Sequence, residues 1–336
     1  MARVTINDVA KRAGVSHTTV SWVIHDDPRI TRETKARVLA AIGELRYHPN
    51  LSARSLVSGK TGVIAVVAFF FSTLFELEIM QGVERCLDSR SVPSNIHQYA
   101  TRGSRERKEE IFRQILYGRR ADAVICLSLR PSDELLEEFH AAGVPLVLVE
   151  ERAPGAISVK TDNRAGARLA VDYLVSKGRN RIALVGDRTS GEEIGLSPQE
   201  RLQGYLESLA SAGLPYERQL VTDIASFDVE GGRAALSGIL ANGGRPDAVF
   251  SSGGDLVALG VIAEARARGL RVPEDLAVIG FDDSFVASLG TPALTTVRQP
   301  LQEMGSTAIG LALDSLEGRD VEDCIFEPHL VIRASA

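Results

Sequence analysis

The 336-residue sequence predicts an α/β protein in which a helical N-terminal head precedes a body of two doubly wound parallel sheets. Three observations carry this expectation. From residue 62 onward, short apolar runs alternate with amphipathic helical stretches, as parallel strands covered by helices on both faces require. Charge is split along the chain. Residues 1–60 hold ten Lys/Arg against five Asp/Glu, whereas residues 61–336 hold 28 basic and 39 acidic residues, within a net charge of −6. Finally, Arg120-Ala121-Asp122-Ala123-Val124 returns as Arg245-Pro246-Asp247-Ala248-Val249. Each copy is followed about twenty residues later by Gly143-Val144-Pro145 or Arg271-Val272-Pro273, as two related lobes would produce.

Hydrophobic residues make up 44% and charged residues 24%, which excludes disordered, collagen-like and rod-like chains. No stretch approaches the ~18 unbroken apolar residues of a spanning helix. The N-terminal Met1-Ala2-Arg3-Val4-Thr5-Ile6-Asn7-Asp8 lacks the apolar core of a secretory signal. Cys86, Cys126 and Cys324 are few and far apart, which fits neither a disulfide framework nor a metal knuckle. His97 and His140 have no partners at metal spacing. The expectation is a cytoplasmic protein without metal or cofactor. A basic head on an acidic body points to nucleic acid as the partner of the head alone.

The head reads as three helices. Thr5 can cap the first, Asp8 suits its positive first turn, and Ile6, Val9, Ala10 and Ala13 keep helical spacing. Gly14 supplies a left-handed turn, after which Ser16 can cap a second helix containing Thr19, Val20 and Val23. Two short helices joined in this way form a helix-turn-helix. Pro28 ends the second helix. Thr31 caps a third that runs to about residue 46, with Val38, Leu39, Ile42 and Leu45 as the expected buried stripe. His17, Thr18, Ser21, Trp22 and His25 fall on faces of the second helix not needed for the core, where they can reach base edges and phosphates. Pro49 and Gly59 bracket one or two further helical turns, with Asn50 as a cap, too short to be stable without a packing partner.

Val4-Thr5-Ile6-Asn7-Asp8-Val9-Ala10, Ala13-Gly14-Val15-Ser16, Thr19-Val20-Ser21 and Pro49-Asn50-Leu51-Ser52-Ala53-Arg54-Ser55-Leu56 occur at mutual spacings that resemble the lac repressor (LacI/GalR) family of bacterial transcription regulators. The resemblance implies a DNA-binding domain over residues 1–48, a hinge helix and linker over 49–61, and an effector-binding, dimerising body over 62–336. It implies DNA contacts from Thr5, Ser16, His17, Thr18, Thr19, Ser21, Trp22, His25, Asn50, Ala53, Arg54 and Leu56, the last as a wedge in the minor groove. An apolar wedge unstacks a base step for a few kcal/mol, and the resulting bend is repaid by added contacts. Two departures alter the reading surface: the family usually has Arg where this chain has Trp22, and Asn where it has His25.

In the body, strands are expected at 63–67, 95–99, 123–127, 144–149, 181–185, 220–224, 248–251, 276–280 and 331–333. Helices are expected at 77–89, 105–117, 165–177, 199–212, 229–240 and 256–268. Two such lobes hold a ligand between them, at the carboxyl ends of the strands. The resemblance continues through Asp162-Asn163, Arg201-Leu202-Gln203-Gly204-Tyr205, Asp255-Leu256-Val257-Ala258-Leu259-Gly260, Gly280-Phe281-Asp282-Asp283 and Pro292-Ala293-Leu294-Thr295-Thr296-Val297. It implies a periplasmic-binding-protein-like body whose chain crosses between lobes near 158–160, 288–292 and 317–322. Lobe one then comprises about 62–158 and 291–317, and lobe two about 159–290 and 320–334.

By the same resemblance Asp162, Arg201 and Asp282 contact the effector, and Phe75 and Phe227 face it. Carboxylates accept from vicinal hydroxyls, a guanidinium donates to two oxygens, and an aromatic ring stacks on the apolar face of a sugar, so the set suits a carbohydrate. For the two phenylalanines, core packing stays open as the other reading. The effector rim departs from the family: Phe69-Phe70-Phe71 replaces a usual Pro-Asp, and Gly254 replaces the Asn before Asp255.

Gly59-Lys60-Thr61 imitates the end of a phosphate-binding loop, but position 54 is Arg54 rather than Gly and no strand precedes it. No nucleophile–base motif or dinucleotide fingerprint appears in a suitable context. The expected function is therefore a non-enzymatic, dimeric repressor of a pseudo-palindromic operator, controlled by a small effector such as a sugar. A cytosolic sugar-binding module or a sugar-metabolising enzyme on the same fold is the alternative.

Overall fold

The computed structural model describes residues 4–24, 27–47, 60–90, 95–102, 104–186 and 195–336. The readings placed on His25, Asn50, Ala53, Arg54 and Leu56 lie outside the described residues. The chain divides into two compact units, residues 1–61 and 62–336.

The first unit contains α1 (Ile6–Ala13), α2 (His17–Ile24) and α3 (Arg32–Leu45). Thr5 and Asp8 form a reciprocal capping box at α1: Thr5 Oγ1 accepts from the Asp8 N–H, and Asp8 accepts from the Thr5 N–H at 2.8 Å. Gly14 ends α1 in the left-handed region at φ 67°. Ser16 Oγ accepts from the Thr19 N–H at 3.1 Å, and Thr31 Oγ1 from the Thr34 N–H at 3.3 Å, so each helix start has a side-chain acceptor. Val9, Ala10, Ala13, Val20, Val23, Val38 and Ala41 form the core, with Ile42 and Leu45 packed against it. Leu39 does not join them. It is 50% exposed, because one residue's rotation past Val38 carries it out of the stripe, and Ala41 takes the inward position.

The second unit is built on two six-stranded sheets. The strands are β1 (Val63–Ala68), β2 (Asn95–Ala100), β3 (Ala123–Leu127), β4 (Leu146–Val149), β5 (Ile157–Thr161), β6 (Ile182–Gly186), β7 (Val221–Asp223), β8 (Ala248–Ser251), β9 (Ala277–Asp282), β10 (Thr295–Arg298), β11 (Cys324–Phe326) and β12 (His329–Val331). Sheet one has the order β11-β5-β4-β3-β1-β2 and is parallel throughout. Sheet two has the order β12-β10-β9-β8-β6-β7 and is parallel except where β12 runs against β10.

The helices are α4 (Leu74–Arg90), α5 (Arg105–Tyr117), α6 (Asp133–Ala141), α7 (Asn163–Ser176), α8 (Leu196–Ser211), α9 (Val229–Ala241), α10 (Asp255–Ala267) and α11 (Leu301–Leu316). Each sheet has an apolar layer on both faces. Sheet one packs α4 and α11 on one side and α5 and α6 on the other; sheet two packs α9 and α10 opposite α7 and α8. Burial on both faces explains why β1, β3 and β4 are unbroken apolar runs. α4 and α11 approach so closely that a β-carbon at Gly82 would collide with the Gln302 carbonyl, and one at Gly305 with the Ile79 carbonyl. No helix among the described residues is long and apolar enough to cross a membrane.

The crossings between lobes lie later than expected. Instead of 158–160, 288–292 and 317–322, the chain passes from β5 to α7 at 161–163, from β10 to α11 at 298–301, and from β11 to β12 at 326–329. Lobe one thus ends with β5 and regains α11 and β11, whereas β10 belongs to lobe two. The reason is local. Ile157-Ser158-Val159-Lys160-Thr161 and Thr295-Thr296-Val297-Arg298 are short and half polar, so neither reads as a strand by apolar content, yet each completes a sheet before the chain crosses.

Candidate functional site

In the head, the surface of α2 carries exposed His17, Thr18 and Trp22, with Thr19 and Ser21 half-buried. Thr5 and Ser16 are engaged as caps, and the Ser16 and Thr19 hydroxyls share a 2.9 Å hydrogen bond. Trp22 is not a free indole: the Arg29 guanidinium lies over its ring, 4.7 Å from the centroid.

In the body, the parallel strands deliver their carboxyl ends to one region. Glu150 follows β4, Asp162 and Asn163 follow β5, Ser252 follows β8, and β9 ends at Asp282. Arg201, on α8, is the hub. Its Nε donates to Asn163 Oδ1 at 2.7 Å and its Nη1 to the Ser252 carbonyl at 2.7 Å. The guanidinium stacks 3.8 Å over the Phe281 ring, and Nη2 stands 3.8 Å from Glu150 Oε2. Glu150 is 1% exposed and accepts from the Thr161 N–H at 2.7 Å, Asn163 Nδ2 at 2.6 Å and the Ser197 hydroxyl at 2.5 Å. A lobe-one carboxylate is thereby bound to three lobe-two side chains, Asn163, Ser197 and Arg201.

Asp282 Oδ1 accepts from Gln299 Nε2 at 2.7 Å. Burial pushes its carboxyl up; the nearby Arg201 and the Gln299 hydrogen bond pull it back, while Glu150 and Glu78 push further. Asp255 is raised more strongly, by burial first and by the Asp282 charge second, although Ser284 and Thr296 donate to it. Gln299 is 3% exposed and its Oε1 is buried without a hydrogen-bond partner, an acceptor set beside Asp282. Glu78 on α4 is raised by burial and by Asp283, offset by the Phe285 backbone N–H of lobe two.

The other expected residues sit apart from this network. Asp162 is exposed and uses Oδ1 to cap α7 through the Ala165 N–H at 2.9 Å; its neighbour Asn163 holds the place beside Arg201. Phe75 is half-buried in the first turn of α4 against the lobe-one core, and Phe227 is 41% exposed next to the α9 cap Asp228. Glu150, Asn163, Ser197 and Gln299 belong to this region without being singled out by the sequence. Asn163 stands beside Asp162 in a recognisable pair, but nothing local marks Glu150 or Gln299, whose partners lie 11 to 51 and 17 residues away. Among the described residues, no group of three His, Cys, Asp or Glu could hold a metal ion.

The family model described as bacterial regulatory proteins, lacI family, matches residues 5–50, and that of a periplasmic binding protein-like domain matches residues 171–336. The HTH-type transcriptional regulator CelR of Thermobifida fusca is 35% identical over 99% of this chain and 98% of its own length. The chain belongs to the LacI family. The HTH-type transcriptional repressor PurR of Serratia proteamaculans is 34% identical over 97% of this chain and 94% of its own. Among solved structures, a CelR–cellobiose complex matches with 34% identity and a TM-score of 0.72, covering 99% of this chain and all of that one. A lac repressor dimer bound to operator and the anti-inducer ONPF matches with 26% identity and a TM-score of 0.85, covering 99% of each chain. This LacI-family protein is a DNA-binding transcriptional regulator, not an enzyme.

Proposed function

We propose that the chain is a cytoplasmic, homodimeric repressor of a pseudo-palindromic operator, and that a carbohydrate held at the Arg201–Asp282 cleft controls its grip on DNA. The observation that carries this reading is the Arg201–Glu150–Asn163 network, which ties the two lobes together beside Asp282 and the unpartnered acceptor Gln299 Oε1, a polar setting that suits a polyol. The similar CelR has been solved with cellobiose, and the similar lac repressor as a dimer on operator. Phe69 and Phe70, both exposed just after β1, extend the apolar rim and favour a ligand larger than one sugar ring.

In this reading residues 1–48 bind DNA through Thr5, Ser16, His17, Thr18, Thr19, Ser21, Trp22 and His25. The 49–61 segment adds Asn50, Ala53, Arg54 and Leu56. Arg201 and Asp282 hold the effector together with Glu150, Asn163 and Gln299, while Phe75, Asp162 and Phe227, which stand apart from that network, face the ligand from outside it. Calorimetry of the full chain against cellobiose and a panel of mono- and disaccharides tests it. One sugar should bind the wild type, and Arg201→Ala and Asp282→Ala should each lose that binding while retaining affinity for a selected operator duplex. Sugar binding undiminished in both variants would reject the cleft assignment.

A further inference from the structure

We infer that Arg29, carried on the face of Trp22, is a base-reading residue that supplies the guanidinium which α2 itself lacks. The inference rests on the reading above that α2 faces the operator. The eight residues of α2, His-Thr-Thr-Val-Ser-Trp-Val-Ile, contain no Lys or Arg. At the place where the family usually carries Arg stands Trp22, 38% exposed, with one N–H donor and no charge. The missing cation arrives from the following turn: the Arg29 Cζ lies 4.7 Å from the Trp22 ring centroid, within the range of an attractive cation–π contact.

Asp27 fixes this placement from the other side. Arg29 Nε donates to Asp27 Oδ1 at 2.9 Å and Nη2 donates to Oδ2 at 2.7 Å, a side-on fork. The Arg29 backbone N–H donates to the same Oδ1 at 2.9 Å, so the turn and the side chain share one acceptor. The Asp27 N–H in turn donates to the Trp22 carbonyl at 3.0 Å, which ties the clamp to the residue whose ring it serves. These hydrogen bonds hold the Asp27 carboxyl down to about 2, so the clamp is charged throughout the neutral range. The Arg29 side chain remains 68% exposed, against 18% for Asp27.

The fork uses the Nε–H and one Nη2–H. The end-on pair, one N–H from each terminal nitrogen, is left pointing away from Asp27. That pair matches O6 and N7 of guanine in the major groove. A phosphate contact is the weaker account. Phosphate attracts by net charge and tolerates many orientations, and the Asp27 carboxylate cancels much of that charge. Fixed orientation with reduced net charge suits a base edge instead.

The test is selection of bound sequences from random duplex DNA by full-length protein, followed by affinity measurements on the recovered duplex and its single-base variants. Wild type should enrich a two-fold motif with a guanine at one position of each half-site. Arg29→Ala should lose the preference at that position alone, on the order of ten- to a hundredfold, with the rest of the motif retained. Trp22→Ala should lose the same position, whereas Trp22→Phe, which keeps an aromatic platform, should keep it. Arg29→Lys should fail to restore it, since ammonium cannot make the planar two-bond contact. An unchanged motif for Arg29→Ala, or a loss of affinity uniform across sequences, overturns the inference while leaving the repressor reading intact. If wild type enriches no sequence, the repressor reading fails and the inference with it.

Discussion

At the scale of single residues, the cleft concentrates acid. Asp255 and Asp282 lie close enough for the second charge to raise the first, and burial raises both. A carboxyl whose folded-state pKa lies above its unfolded value is accommodated when protonated and becomes costly as pH rises through that value. Asp255 should therefore contribute its stability in acid and lose it toward alkaline pH. Asp255→Asn removes the ionisation while keeping an acceptor for the Ser284 N–H. The variant should gain on wild type by at least about 1 kcal/mol between about pH 4 and about pH 8 in paired denaturant titrations. A difference independent of pH would mean that Asp255 stays ionised in the fold. The sequence singles out Arg201 and Asp282 because each stands in a motif with a recognisable surrounding. It does not single out Glu150, whose partners are Thr161 on the neighbouring strand β5 and Asn163, Ser197 and Arg201 of lobe two, which only the meeting of the two lobes brings to it.

At the scale of elements, sequence legibility followed burial. Strands buried on both faces, such as β1, β3 and β4, are continuous apolar runs that read as strands; β5, β10 and β11 carry Ser158, Lys160, Thr295, Thr296 or partly exposed side chains and do not. The misplaced lobe crossings follow from those three strands. The three head helices were legible because each announces its start: Thr5, Ser16 and Thr31 all accept from a backbone N–H three residues on. Helix pairing was not. The contact of α4 with α11 depends on Gly82 and Gly305, more than 200 residues apart, neither of which has any local sign of its role. Gly305→Ala should destabilise the body by about 1–3 kcal/mol through overpacking, read as a lower urea midpoint with the head's helix content retained. An unchanged midpoint would mean that the two helices can separate freely.

At the scale of the whole molecule, the basic head and acidic body predict a steep salt dependence. The logarithm of operator affinity should fall linearly with the logarithm of salt concentration, by about 0.9 per phosphate neutralised. A flat response would deny the head its electrostatic role. Linkage adds a second expectation: operator and the proposed effector change one another's affinity by the same factor, worth about 1–3 kcal/mol in typical cases. The three crossings have a further consequence, for how the protein is made. Leu301, Met304, Ala308, Ile309, Ala312 and Leu313 fill the lobe-one core from α11, and β12 closes an edge of lobe two. A nascent chain that has reached residue 161 thus has every other helix of its first lobe and still cannot seal it. Both halves are finished only by the stretch after residue 300, so a ribosome that stops early releases two open apolar surfaces, a client for chaperones, and no half-working sensor.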